Sequence, residues 1–385
     1  MEYKFPEKFL WGSATSSYQV EGGIENNDWA ASGKASASQG LSKIPFAGKA
    51  TDHYNRYEED FNIAKNLGQN VHRFSIEWAR IEPEEGQFND AEIEHYRKVI
   101  EAIRSRGMEP FVTLWHFTLP LWFSRIGGFE NSKASFYFSR YCEYVVSRLS
   151  EGNGGVKFWM TINEPMVYAS ESYLRGNWPP FSKNLYTFWK VIKTLISSHL
   201  MSHNIIKKIN SELQVGIAKN NIYFERIPFL PYFRNFYFLN KIKNYQDFIG
   251  LNYYYRKGFP NNKNKLISDM SWEIYPDGIY RVLMDLKKYK KPIYITENGI
   301  ADAKDEKREK FIKEHLRWVW QTIQDGVDVR GYFYWSLLDN FEWAHGFGPR
   351  FGLVEINYET LERKIRPSAY EYAKICKTNQ LEVDL

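Results

Sequence analysis

Two short segments place a glutamate in nearly the same setting. Thr161-Ile162-Asn163-Glu164-Pro165 and Ile295-Thr296-Glu297-Asn298-Gly299 each put a carboxylate at the end of an apolar run. A lone glutamate after a strand is more often a helix cap or a surface ion pair. Two of them, each beside an asparagine, form a far rarer pattern. A facing carboxyl pair suits glycoside hydrolysis: a neutral acid protonates the leaving oxygen while an ionised partner attacks the anomeric carbon. Double displacement of that kind needs the two groups roughly 5 Å apart. Burial and the neighbouring charge raise the pKa of the acid, and donors with a cation favour the ionised form of the nucleophile. Arg73 is the candidate cation, on the inner face of a strand, and Tyr254 the candidate donor.

The elements that must hold these residues follow from hydrophobic patterning. Short apolar runs at 9–12, 71–76, 110–114, 157–162, 213–218, 248–251, 292–295 and 330–334 predict eight strands. Amphipathic stretches at 54–67, 91–106, 135–149, 185–209, 277–289, 308–325 and 368–376 predict helices between or after them. The strands are continuously apolar rather than alternating, as when both faces of a parallel sheet are covered. Repeated βα units with no linker predict one (β/α)₈ barrel, an α/β fold of the TIM type, over residues 1–385. Both glutamates then fall after the C-terminal ends of strands four and seven, where barrel chemistry collects. Residues 219–247 fit poorly. Prolines 228 and 231 argue against a helix there, and an irregular aromatic segment packed on the barrel is expected.

Composition narrows the function classes. The chain has 27 Tyr, 27 Phe and 13 Trp among 385 residues, enough to fill a large core or to face sugar rings. Its formal net charge of +5 comes from scattered Lys and Arg, without the basic stripe that marks nucleic-acid binding. Cys142 and Cys376 match no metal spacing and read as two buried thiols or, less readily, one disulfide. No metal and no cofactor are expected. The first residues carry no basic and apolar leader pattern, and no run of about 20 apolar residues occurs. A cytoplasmic protein with no membrane contact is therefore expected; its oligomeric state stays open.

At this level of detail the sequence resembles glycoside hydrolase family 1, the retaining β-glucosidase and β-galactosidase family. The similarity is carried, in order, by blocks at 9–22 (FLWGSATSSYQVEG), 72–81 (HRFSIEWARI), 113–117 (TLWHF), 161–165 (TINEP), 249–254 (IGLNYY), 271–276 (SWEIYP), 295–299 (ITENG), 335–343 (WSLLDNFEW) and 350–353 (RFGL). The resemblance implies that Glu164 is the acid/base and Glu297 the nucleophile, oriented by Arg73 and Tyr254. It further implies that Asn163 meets the sugar 2-hydroxyl and that Gln19, His116 and Glu342 bind other glycone hydroxyls. Trp335 would form the stacking floor, Trp343 would contact outer hydroxyls, and Trp272 would lie toward the leaving group. The implied partner is a small β-glycoside.

Two features set finer expectations. Relatives acting on 6-phosphorylated sugars resemble one another in a different pattern near Glu342, with Ser and Lys for the phosphate. A carboxylate there repels a phosphate, so an unphosphorylated glycone is expected. The chain is also short for the family around 42–50, 219–247 and 300–307, which implies a more open aglycone entrance. Phe117 stands where many bacterial and plant relatives resemble one another in carrying Trp. Transglycosylation by the same carboxyl pair, or a sugar-binding barrel without turnover, remain as alternatives.

Overall fold

Eight parallel strands close into a barrel in simple sequential order. They are β1 (Leu10–Ala14), β2 (Val71–Ser75), β3 (Glu109–Trp115), β4 (Phe158–Asn163), β5 (Gln214–Asn220), β6 (Ile249–Asn252), β7 (Ile293–Asn298) and β8 (Val329–Trp335). The structure, a computed structural model, describes residues 2–38, 44–152, 154–227, 229–258 and 266–382. The helices that flank the barrel strands include α1 (His53–Asn66), α2 (Asp90–Ser105), α3 (Ala134–Leu149), α4 (Leu185–Ile209), α5 (Tyr237–Ile242), α6 (Asp277–Leu286), α7 (Arg308–Gln324) and α8 (Pro367–Thr378).

The helices form where the pattern places them. In α2, the Asn89 side chain accepts from the Ala91 N–H, Asp90 and Glu92 occupy the first turn, and Ile93, Tyr96, Ile100 and Ile103 are buried. Capping oxygen, acidic start and one apolar face all favour the same helix. Cys142 and Cys376 are free and buried. Strand β1 begins one residue later and ends two residues later than its apolar run suggested.

The segment 219–247 departs from expectation. It holds a five-residue turn, Tyr232–Phe236, leading directly into α5, so a short fifth outer helix exists. Pro231 has helical angles just ahead of the turn (φ −56°, ψ −38°). Proline at a helix start breaks no hydrogen bond, because the first N–H groups have no partner within the helix. Position 228 and positions 42–43, part of two segments singled out from sequence, lie outside the described residues.

The barrel interior is layered. Val71, Phe111, Met160, Ala218, Phe248, Tyr294 and Phe333 pack together as one buried cluster, one from each of β2 to β5, β7 and β8 and one immediately before β6. Phe111 sits centrally, with ring centroids 5.4, 5.0 and 5.1 Å from Phe248, Tyr294 and Phe333. Truncating such a side chain to alanine costs about 3–5 kcal/mol. Side chains alternate along a strand, so the next inward layer carries Arg73, Thr113, Asn220, Thr296 and Trp335. The apolar plug thus seals one end and lifts polar groups toward the other. No helix among the described residues is long and apolar enough to cross a membrane.

Candidate active site

The two strands that deliver the glutamates both slip register just before them. The β4–β5 pairing is irregular between Met160 and Asn163, and β7 is irregular against β6 between Ile295 and Glu297. Strict alternation from Tyr294 would turn Glu297 away from the axis. A bulge changes that parity and re-aims the side chain, and Glu297 instead meets Arg73.

The rest of the second glutamate motif secures this end of β7. Thr296 Oγ1 donates to Asn252 Oδ1 at 2.7 Å. Asn298 Nδ2 donates to the Tyr253 carbonyl at 2.7 Å, and Asn298 Oδ1 accepts from the Tyr332 hydroxyl at 2.8 Å. Gly299 passes so close to β8 that an added Cβ would stand 1.8 Å from the Trp335 carbonyl oxygen. Only glycine fits there.

Glu164 is held differently. Its backbone is left-handed (φ 43°, ψ 57°) at the head of the short helix Pro165–Ala169. That conformation costs a non-glycine residue about 1–2 kcal/mol. The surrounding structure imposes it, partly through a 2.8 Å bond from the Glu164 N–H to the Ala218 carbonyl. Such strain gathers at functional positions.

The two carboxyl groups occupy opposed environments. Glu297 Oε1 accepts from Arg73 Nη1 at 2.5 Å, and Oε2 accepts from the Tyr254 hydroxyl at 2.6 Å. Among the described residues Glu164 has no ion pair; its Oε1 accepts from Asn252 Nδ2 at 2.8 Å. Burial, reinforced by the charge of Glu297, pushes the Glu164 carboxyl up to about 7. One carboxyl is thus paired with a cation and a hydroxyl donor, while burial and a neighbouring carboxyl favour the protonated form of the other.

A single hydrogen-bonded chain joins them. Arg73 Nη2 donates to Asn163 Oδ1 at 2.7 Å, and Asn252 Nδ2 reaches the same oxygen at 3.3 Å while also holding Glu164. Arg73 Nε donates to Thr113 Oγ1 at 3.2 Å. Asn252 was not singled out from sequence, although it lies inside the 249–254 block at the end of β6. Asn163 Nδ2 lies 3.1 Å from His116 Nε2. That nitrogen must therefore accept, which puts the imidazole proton on Nδ1. Burial and the nearby Arg73 hold His116 well below the usual histidine range, so the ring is neutral. Among the described residues, its buried Nδ1 has no partner.

Of these groups, Glu164, Glu297, Asn163, His116 and Tyr254 line a cavity of about 520 Å³. All the remaining sequence candidates line it: Gln19, Trp272, Trp335, Glu342 and Trp343. Gln19 is more committed to the protein than expected. Its Nε2 donates to Asn340 Oδ1 at 2.9 Å and the Phe341 carbonyl at 2.8 Å, with Glu342 Oε2 at 3.5 Å, and its Oε1 accepts from Ser16. Glu342 is raised to about 8 by burial and by the charges of Glu297 and Glu164. The His116 ring lies nearly parallel to both Trp335 and Trp343, at interplanar angles of 20° and 13°. Phe117 also lines the cavity and packs edge-on against Trp343, with centroids 5.1 Å apart. Trp272 stands beside Tyr254 and Tyr255, at 5.5 and 5.2 Å. Among the described residues no cluster of His, Cys, Asp and Glu is arranged to hold a metal.

A closed (β/α)₈ barrel whose polar cavity sets an acid opposite a paired carboxylate defines a barrel glycoside hydrolase. The comparisons with known proteins agree. The model of glycosyl hydrolase family 1 matches residues 1–235 and 229–381, and the chain belongs to that family, whose members act with retention of configuration. It is similar to the 1,4-beta-D-glucan glucohydrolase of Thermotoga neapolitana, 35% identical over 446 aligned positions covering 98% of this chain and 99% of the relative. Its fold matches the solved beta-glycosidase from Pyrococcus horikoshii, at a TM-score of 0.90 and 38% identity, covering 100% of this chain and 97% of that one. The Thermotoga maritima beta-glucosidase in complex with deoxynojirimycin superposes at a TM-score of 0.89 with 32% identity, covering 99% of this chain and 100% of that one.

Proposed function

We propose that this retaining glycosidase cleaves a terminal, unphosphorylated β-linked glucose or galactose unit, with Glu297 as nucleophile and Glu164 as general acid/base. The observation that carries this reading is the asymmetry between the two carboxyls. Glu297, bonded to Arg73 and Tyr254, is prepared to attack the anomeric carbon. Glu164, protonated below about pH 7, donates to the departing oxygen. The C1–O bond breaks as the C1–Oε bond forms, and the proton ends on the alcohol. Water then attacks C1 while Glu164, now ionised and steadied by the Asn252 N–H, removes its proton.

Several groups have capacity left for a sugar. Asn163 Nδ2 keeps a second N–H, suited to the 2-hydroxyl, a contact that strengthens toward the transition state. The unpartnered His116 Nδ1–H is suited to another hydroxyl. The groups acting on Glu342 are Glu297, Glu164 and Gln19, with no cation among them. A sugar phosphate placed there would meet carboxyl groups with no cation among the groups acting on Glu342, which favours the plain glycone. Two relatives, a glucan glucohydrolase and a Pyrococcus woesei beta-galactosidase, support the gluco and galacto choices. We assign the whole of residues 1–385 to this one catalytic unit.

A panel of p-nitrophenyl β-glycosides, followed by NMR of the first anomer formed, tests the reading. Release of nitrophenol with the β-sugar appearing first is expected. Initial formation of the α-sugar, or better turnover of a 6-phospho substrate than of the plain glycoside, would overturn it.

A further inference from the structure

Opposite in character to the carboxyl groups, one wall of the cavity is cationic: Arg175, Arg234 and Lys257 all line it. Arg234 comes from the Tyr232–Phe236 turn, the segment whose structure sequence patterning missed. Its backbone carbonyl accepts from the buried Lys219 ammonium at 2.8 Å, and its Nη2 donates to Asn220 Oδ1 at 2.9 Å. Among the described residues, its buried Nη1 has no partner. The Arg175 guanidinium pairs with Glu171 at 2.8 Å. Among the described residues, the Lys257 ammonium has no ion-pair or hydrogen-bond partner; the charges acting on it are Arg175, Arg234 and Glu171.

This wall adjoins the acid/base. Arg234 and Lys219 both act electrostatically on Glu164, and Tyr255, between Trp272 and the cations, feels Arg234, Arg175 and Glu164. Glu297 and Glu342 mark the glycone end. The cationic wall therefore falls on the leaving-group side. Three cations there face Glu171 and the acid Glu164, and a buried N–H left without an acceptor costs free energy until a ligand supplies one. The arginine fork fits a carboxylate, and the Trp272–Tyr255 surface fits a flat ring.

We propose that the leaving-group end is an anion-binding subsite, selecting β-glycosides of aromatic alcohols that carry a carboxylate, with Arg234 and Lys257 as its specificity-determining residues. This rests on the catalytic reading above and changes none of its bonds. The C1–O bond to the phenol breaks, Glu164 supplies the proton to the phenolic oxygen, and the aglycone carboxylate stays intact. The bound anion also offsets the cations that favour the ionised form of Glu164, so the acid stays protonated to higher pH with such substrates.

The test compares 4-carboxyphenyl and 4-carbamoylphenyl β-glycosides, nearly equal in shape but different in charge. We expect kcat/KM to favour the carboxylate by about tenfold, the strength of one hydrogen bond to a charged group. The preference should shrink as salt rises from about 0.05 to 0.5 M, and the basic limb of kcat should lie at higher pH for the anionic substrate. In Lys257→Met and in Arg234→Met the ratio of the two kcat/KM values should fall toward one, and in Lys257→Glu it should invert. Each ratio is taken on one preparation, so a reduced folded fraction cancels. If Arg234→Met does not fold, the two Lys257 variants carry the test. Hydrolysis of both substrates at a ratio near one, or a ratio unmoved by the Lys257 variants, overturns the subsite and leaves the catalytic reading standing. Failure to hydrolyse any aryl β-glycoside overturns both.

Discussion

Arg73 and Glu297 meet at 2.5 Å, Nη1 to Oε1, with side chains only 1% and 5% exposed, so β2 is tied to β7 across the barrel mouth. The guanidinium is further held by the Thr296 carbonyl, the Asn163 side-chain oxygen and the Thr113 hydroxyl, which accept from Nη1, Nη2 and Nε. Arg73→Met should leave a buried carboxylate without its cation, a change that costs about 3–5 kcal/mol in comparable pairs. A fall of about 10²–10³ in kcat/KM and a lower melting temperature are expected, from steady-state kinetics and thermal melts. A folded Arg73→Met enzyme with ordinary kinetics would remove the guanidinium from the mechanism.

Glu297→Gln keeps the shape of the side chain and deletes the attacking oxygen anion. Turnover should drop by about 10⁴-fold or more, as when a nucleophile is removed from other covalent mechanisms. Rapid-quench assays with a dinitrophenyl glycoside should show no burst of leaving group. Retained turnover in this variant would sink the assignment of the nucleophile.

Glu164→Gln should affect substrates unequally. Poor leaving groups need the proton and should slow by about 10²–10⁴-fold, whereas dinitrophenolate needs little help. The pH profile supplies the sign. In the proposed mechanism Glu164 serves the first step as the protonated acid, and its carboxyl is raised to about 7, so wild-type kcat/KM should fall as pH rises through that region. Because the two carboxyls interact, the limb belongs to the pair as a unit. In Glu164→Gln the descending limb near 7 should vanish; its persistence would assign the acid to another group.

Asn252→Ala gives a directional check on the residue that sequence reading passed over. The Asn252 N–H favours the charged form of Glu164. Without it the basic limb should move to higher pH and the deglycosylation step should slow, because the carboxylate base loses its donor. Thr296 also loses its acceptor, so stability should fall by about 1–3 kcal/mol. A downward shift of the limb would contradict this account.

Much of the architecture was legible before any coordinates. The strands and outer helices follow from apolar runs and one-faced stripes, because burial of such faces is the dominant drive in folding. Helix α4 occupies residues 185–209 as patterning predicted. The Tyr232–Phe236 turn and α5 were not legible, since they are short and stand directly behind prolines, where local propensity argues against them.

The sequence by itself determined which chemistry-bearing residues stand at the strand ends, and therefore that a carboxyl pair, an arginine and a tyrosine share one barrel mouth. Which way each side chain points was decided only in three dimensions. Two register slips turn Asn163 and Glu297 inward against simple alternation, and a left-handed backbone sets Glu164 at the cavity. The split between acid and anion was likewise tertiary. Two glutamates in similar sequence contexts diverge because Arg73, 224 residues from Glu297 in the chain, reaches one carboxyl and not the other. Electrostatic energy depends on distance through space, which spacing along the chain does not encode.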